Sequence, residues 1–462
     1  MSSINCEGKP LYLASLAIVG WIEGGVRESG SRAVSAVIGI FSLLALSFAA
    51  FRIFAARAPA ILAMAISAVS LFHVMYSRLI LANVFLPLLF LASLYFFTHR
   101  DELTWRKRLL WGLLLGAGMG FHPVYVITLC ATAAAILIDA LFSSVRWTDE
   151  LRAAVPVLLG FAGALGILEL SYFLGHLLLV SSGVHSSSGW FLGDVFKHGN
   201  EAVYLGSLFS RLRHALVFYS SLFFGLEGPI VFGLFITGIA AGVRSSDRKL
   251  RRLVLYSTVL LGSIVLFPFV AGRIMVVALP AIALIAALGG VHLAQQIARH
   301  VRLNQRRAIV LVAAVVMVYG VWNTLPLLRL TSTLGEAASY SSRMSTTHTR
   351  MYIGDPYGGG DISDKAMLAW YTGRNVRDFT DISHADAMIL FMYYRRSASE
   401  KEYQLPQSFG IRKSFDNDAA SFRPFLAAFT GWTLHPFWRF AGSFPQSIKE
   451  THRKILFTAN HD

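Results

Sequence analysis

The chain has 462 residues, 55% of them hydrophobic and 15% charged, with 41 Lys and Arg against 26 Asp and Glu and a formal net charge of +15. A soluble globular protein carries about 25% charged residues, so an ordinary soluble domain is excluded for most of the chain. Nucleic-acid binding is also excluded, because the basic excess sits in short loops between apolar runs rather than in one patch.

The N-terminal segment Met1 to Lys9 is polar, and the apolar run from Leu11 to Ile22 is too short for a span or a signal peptide. About ten spans are then predicted, at 33–51, 58–76, 79–98, 109–121, 124–142, 154–180, 214–242, 253–270, 274–297 and 308–327. Helices are the only form that satisfies the backbone of such spans within lipid. The stretch 109–142 is too long for one crossing, so His122-Pro123 marks a turn inside it. Glu227-Gly228-Pro229 is expected to break the helix over 214–242 near the outer surface.

Five connections are basic, at 52–57, 99–108, 143–152, 243–252 and 298–307. Every second loop is thus positive, which assigns these five to the cytoplasmic face. Arg78, His122, 181–213 and Arg273 then face outward. The same parity places the first loop, 1–32, outside, with nothing before it to export it, so either the N-terminus is translocated unaided or an upstream helix is missing, and the missing helix is the expectation. Cys6 and Cys130 form no disulfide framework and stand in no metal-ligand spacing.

Composition becomes ordinary near Pro326 to Arg329, dividing a membrane region, 1–328, from a tail, 329–462. In the tail, Met351 to Gly354, Asn375 to Phe379 and Ala387 to Tyr394 read as strands. A Gly358-Gly359-Gly360 turn and a helix over Asp364 to Trp370 lie between the first two. That order predicts a small extracytoplasmic α/β domain with a parallel sheet. The glycine turn is expected to be a flexible turn before an anion site.

The order Gly8-Lys9-Pro10-Leu11-Tyr12, an amphipathic stretch to Trp21, Arg32 opening the first span, Tyr76-Ser77-Arg78, and the Gly112, Gly116, Gly118, Gly120 helix resembles the GT-C class of membrane glycosyltransferases. The resemblance is to the branch holding protein O-mannosyltransferases and the lipid A aminoarabinose transferase. It extends to Arg273 and Pro280 and covers roughly residues 8–300. It implies an α-helical polytopic inner-membrane protein that transfers a sugar from a polyprenyl-phosphate donor to an extracytoplasmic glycan, lipid or protein. Membrane lipids would be its surroundings. A divalent metal is compatible with that chemistry, and no other cofactor is implied. A transporter or flippase of lipid or solute is the alternative, expected to carry broken helices, midplane charges and an internal repeat.

Such a donor needs cations for its phosphate and a carboxylate to activate the acceptor. The resemblance makes Lys9, Arg78, Asn83, His122 and Arg273 the substrate-binding candidates. Lys9 would contact the lipid phosphate, or be a solvated loop lysine. Arg78 and Arg273 are single cations between spans on the outer side, against the charge bias. A snorkelling arginine would look the same at Arg78. Asn83 stands where relatives carry an acid, and would equally serve as a helix-packing amide. His122 would contact phosphate in a pH-dependent way, or simply head its turn. The glycines at 112–120 are expected to permit close helix packing.

The catalytic carboxylate is expected upstream of Met1 and so absent, which would leave the chain inactive. Glu7 is the nearest substitute, two residues before Lys9 where the aminoarabinose branch has its Glu immediately before the Lys. Glu169 and His176, seven apart on one helical face, are expected to pair structurally. Asp139 is expected to be solvated at the cytoplasmic end.

Overall fold

The computed structural model describes residues 9–25, 28–78, 82–143, 146–181, 191–192, 208–267, 270, 272–328 and 333–344, and five strands. Glu7, the Gly358–Gly360 turn and the helix expected over Asp364 to Trp370 lie outside them. The described residues fall into two compact units that divide between Thr324 and Leu325.

The first unit is helical. In order it contains α1 (Pro10–Ile22), α2 (Glu28–Phe54), α3 (Arg57–Ala68), α4 (Leu71–Arg78), α5 (Leu86–Thr98), α6 (Trp105–Phe121), α7 (Val126–Phe142), α8 (Trp147–Ser181), α9 (Leu208–Leu222), α10 (Gly228–Val243), α11 (Arg248–Leu266) and α12 (Leu279–Val301). Helix α13 (Gln305–Leu328) follows and crosses the division. Among the described residues six helical stretches are long and apolar enough to cross a bilayer: Ser29–Phe54, Pro123–Phe142, Trp147–Leu177, Phe209–Val243, Gly272–Val301 and Gln305–Leu325. The bent pair α3–α4 makes a seventh if counted as one span. This is a multi-pass membrane protein. Helix α1 is short, starts on Pro10 at its first turn, and leaves Trp21 84% exposed, as an interfacial helix would.

Small residues set the closest crossings. A Cβ on Gly112 would collide with the Val157 carbonyl oxygen, and one on Gly160 with that of Leu109, so α6 and α8 meet backbone to backbone. Gly238 faces the Ile285 carbonyl and Gly289 the Leu234 carbonyl in the same reciprocal way between α10 and α12. Without a hydrophobic drive between helices in lipid, such contact supplies the packing energy. Gly238→Val must push α10 off α12, because the colliding atoms are backbone and cannot rotate away. We expect a loss of about 1–3 kcal/mol, read as a lower unfolding midpoint in detergent. An unchanged midpoint would mean the crossing is looser than described.

A buried polar knot ties four helices. Trp111 Nε1 donates to Ser93 Oγ at 3.0 Å, and the Ser93 and Tyr256 hydroxyls lie 2.9 Å apart, with Thr132 bonded to Tyr256 as well. It joins α5, α6, α7 and α11 inside apolar surroundings, where each hydroxyl needs a partner.

The loops read as basic gather at one end. Arg100 Nη2 contacts Asp139 at 2.8 Å and Glu150 at 2.9 Å, Arg252 contacts both Asp101 and Asp139, and Lys249 contacts Glu102 at 2.7 Å. Asp139 is therefore not solvated as expected. It bridges two arginines and is 14% exposed. Glu169 also finds a different partner from the one anticipated. Its two carboxylate oxygens accept the Phe191 and Leu192 N–H groups at 2.8 Å each, which docks that part of the long outer connection onto α8.

In the second unit, α14 (Thr333–Met344) packs with a five-stranded sheet of β1 (Met351–Gly354), β2 (Val376–Asp378), β3 (Ala387–Tyr393), β4 (Phe409–Asp416) and β5 (Arg453–Asn460) in the order β2-β1-β3-β5-β4. β1 pairs in parallel with β2 and β3, as the α/β reading requires. β5 runs antiparallel to both β3 and β4, so the sheet is mixed rather than parallel. Mixed sheets of this kind commonly place antiparallel strands beside a parallel core.

Candidate functional site

The end of the helical unit opposite the ion-paired loops collects the candidate residues. Lys9 precedes α1. Arg32 lies in the first turns of α2, and its Nη1 donates to the Arg78 carbonyl at the C-terminus of α4 at 2.9 Å. The two guanidinium charges are close enough to repel. Arg273 sits in a 3-10 turn, Gly272–Ala278, that runs into Pro280 at the start of α12. Its charge acts on the Tyr76 hydroxyl two residues before Arg78, and the charges of Arg273 and Lys9 both act on His122. Lys9 and Arg273, distant in sequence, thus both lie near His122, and Arg273 also lies near Tyr76, on the same helix as Arg78.

The apolar floor is built from the same segments. Tyr12 meets Phe85 edge to face at 6.2 Å, and Phe85 stacks on Phe121 at 4.4 Å, immediately before His122. Asn83 lies one turn away in the 3-10 segment Ala82–Phe85 and is 2% exposed. It does not continue the α4 helix below Arg78, since α4 ends at Arg78 and Asn83 opens on a separate turn. Among the described residues the Tyr12 and Tyr76 hydroxyls and the Asn83 Nδ2 are buried with no hydrogen-bond partner. Buried polar atoms without partners are few in folded proteins. Two of them, on Tyr12 and Tyr76, sit on or beside the segments that carry Lys9 and Arg78. The tyrosines belong to the Pro-Leu-Tyr and Tyr-Ser-Arg motifs, yet sequence reasoning named only the basic members. The motif itself was the available signal.

His122 heads its turn, one of the two readings given to it. Its Nδ1 accepts the Val124 N–H at 3.1 Å, which assigns the ring proton to Nε2 and caps the turn Pro123–Tyr125. Burial first, and then the charges of Lys9 and Arg273, hold its pKa well below the ordinary histidine value. It therefore stands as a neutral N–H donor, not as a cation. Binding of a lipid phosphate should show no His122 inflection between about pH 6 and 8. His122→Asn keeps an acceptor for Val124 and should leave the titration curve unchanged in shape. A limb in that range that disappears in His122→Asn would reverse this assignment.

Glu23, at the end of α1, is the one carboxylate of the first loop whose side chain is described. It packs against Gly30, two residues before Arg32, and its Oε2 is buried without a partner among the described residues. No group of three His, Cys, Asp or Glu among the described residues is arranged to hold a metal ion.

Comparison with protein families matches residues 7–134 to the dolichyl-phosphate-mannose-protein mannosyltransferases. The matched stretch contains Lys9, Tyr12, Arg32, Tyr76, Arg78, Asn83 and His122. No curated protein matches the sequence. Among solved structures, ArnT from Cupriavidus metallidurans in the apo state is similar, with a TM-score of 0.56 and 14% identity over 84% of this chain and 82% of that one. The chain has the fold of that structure, and the family match over residues 7–134 agrees with the resemblance read from the motifs in that stretch.

Proposed function

We propose that this protein transfers a sugar from a polyprenyl-phosphate carrier to an acceptor on the extracytoplasmic side of the membrane. The observation that carries the reading is the convergence of Lys9, Arg78 and Arg273, with neutral His122 and the Tyr12 and Tyr76 hydroxyls, at one end of a helical bundle. The donor is a phosphodiester with one negative charge. When an acceptor oxygen or nitrogen bonds to the anomeric carbon, the carbon–oxygen bond to phosphate breaks and its electron pair stays on the phosphate. The leaving polyprenyl phosphate then gains a second negative charge, while the acceptor loses its proton to a base. Fixed cations at that phosphate stabilise the transition state more than the ground state, which is what accelerates transfer. A lipid-borne donor arrives through the bilayer, which suits a site at the membrane surface between helices.

Transport remains a second reading, favoured by two broken helices, α3–α4 and α9–α10, with buried Glu227 between them. Incubating the full chain in vesicles with polyprenyl-phosphate hexoses and pentoses separates the two. Release of free polyprenyl phosphate with a glycosylated acceptor supports transfer. Movement of the intact lipid-linked sugar between leaflets, with no release, supports transport and overturns the proposal.

A further inference from the structure

Glu227 has no part in the cation cluster, yet it is 5% exposed and sits where two helices break. It ends a π-helical turn, Phe223–Glu227, between α9 and α10. Gly228 follows at φ +90°, where a Cβ would strike the Tyr319 ring of α13, and Asn323 of the same helix donates to the Leu226 carbonyl. The backbone on either side of Glu227 is thus held by α13. Beside the carboxylate lies the 60° bend between α3 and α4. Ser70 Oγ donates to Glu227 Oε1 at 2.7 Å, and the Phe72 N–H reaches the same oxygen at 3.4 Å. Ser70 Oγ in turn accepts the His73 N–H at 3.2 Å. Two of the first amides of α4, which no helical carbonyl can satisfy, are capped by Glu227 and by the serine it holds. A carboxylate there also complements the positive end of the helix.

Helix α4 is eight residues long, about 12 Å. Its far end carries Tyr76 and Arg78, and the Arg78 carbonyl is gripped by Arg32. A short rigid helix fixed at both ends has little freedom to rise or rotate. We propose that Glu227 is a positioning residue that sets the depth and rotation of α4, and so the place of Tyr76 and Arg78 in the site. The consequence for binding rests on the function proposed above. The contact itself does not.

The test uses the full chain in phosphatidylcholine nanodiscs, with polyprenyl phosphate as the probe and amide hydrogen exchange over 71–78 as a ligand-free readout. Glu227→Ala should weaken binding about tenfold or more and speed exchange across α4. Glu227→Gln keeps an acceptor at Oε1 and should rescue both to within about threefold. Ser70→Ala should fall between them. Wild-type binding and exchange in Glu227→Ala would overturn the proposal, as would a folded Glu227→Gln that behaves like Glu227→Ala. If Glu227→Ala fails to insert, Ser70→Ala decides, and wild-type exchange there overturns it. If the native chain does not bind polyprenyl phosphate, the functional reading fails, while faster exchange in Glu227→Ala with rescue in Glu227→Gln would still establish the positioning contact.

Discussion

Replacing Arg273 with alanine is expected to lower sugar transfer by about a hundredfold or more while the chain still inserts and folds. Arg273 lies in a tight turn between α11 and α12, and its charge reaches both Tyr76 and His122, which belong to different helical segments. In the proposed reaction its charge would act on the leaving phosphate. Because the proposed step adds a charge to the leaving phosphate, the loss should fall mainly on kcat rather than on KM. Arg273→Lys keeps the charge but not the planar fork, and should recover part of the rate. Normal expression, an unchanged unfolding midpoint and full transfer by Arg273→Ala would remove Arg273 from the site.

The helical frame and the motifs that carry the candidate site were legible in the sequence because both are written locally. Apolar runs and basic loops at every second turn locate the helices. Of the ten spans expected, however, only six stretches, or seven with the bent pair, are long and apolar enough to cross a bilayer among the described residues. The structure gathers the connections near 52, 100, 150 and 248 at one end. The breaks were legible only in part. Gly228-Pro229 announces one, but Ser67 to Ser70 contains neither proline nor glycine. The bend there is capped by Glu227, 157 residues from Ser70. Asp139 misled for the same reason: its exposure was read from its place near a helix end, and its two arginine partners lie 39 and 113 positions away. In the tail, β5 lies between β3 and β4 although it comes last in sequence, so no local order could have announced an antiparallel partner. The unpartnered hydroxyls of Tyr12 and Tyr76 are equally invisible in a sequence, since partnering is a property of the fold.

Arg252→Ala is expected to cost roughly 3 kcal/mol of stability, the largest effect of any single change outside the candidate site. Arg252 is 2% exposed and uses its whole guanidinium edge: Nε bonds Asp139 at 2.9 Å, while Nη1 and Nη2 bond the two oxygens of Asp101 at 2.8 and 2.9 Å. Removing it leaves a cavity and strips one cation from Asp139, which keeps only Arg100. The loss is bounded because Asp101 is 49% exposed and retains Arg248 at 3.2 Å. Burial alone would raise the Asp101 pKa. The hydrogen bond and charge of Arg252, with Arg248 and Arg100, outweigh it and hold that carboxyl below its ordinary value. A carboxylate held low in the folded state stabilises above its unfolded pKa and loses that contribution as pH falls through the folded one. Native protein should therefore lose stability in acid below the ordinary carboxylate range, where Arg252→Ala has already lost this share at every pH. The gap between the two unfolding midpoints should narrow as pH falls through that range. A gap that stays constant with pH would trace the cost to the cavity and not to the ion pair. Arg252→Lys, which fills much of the volume but cannot fork, should lie between them and keep the pH dependence.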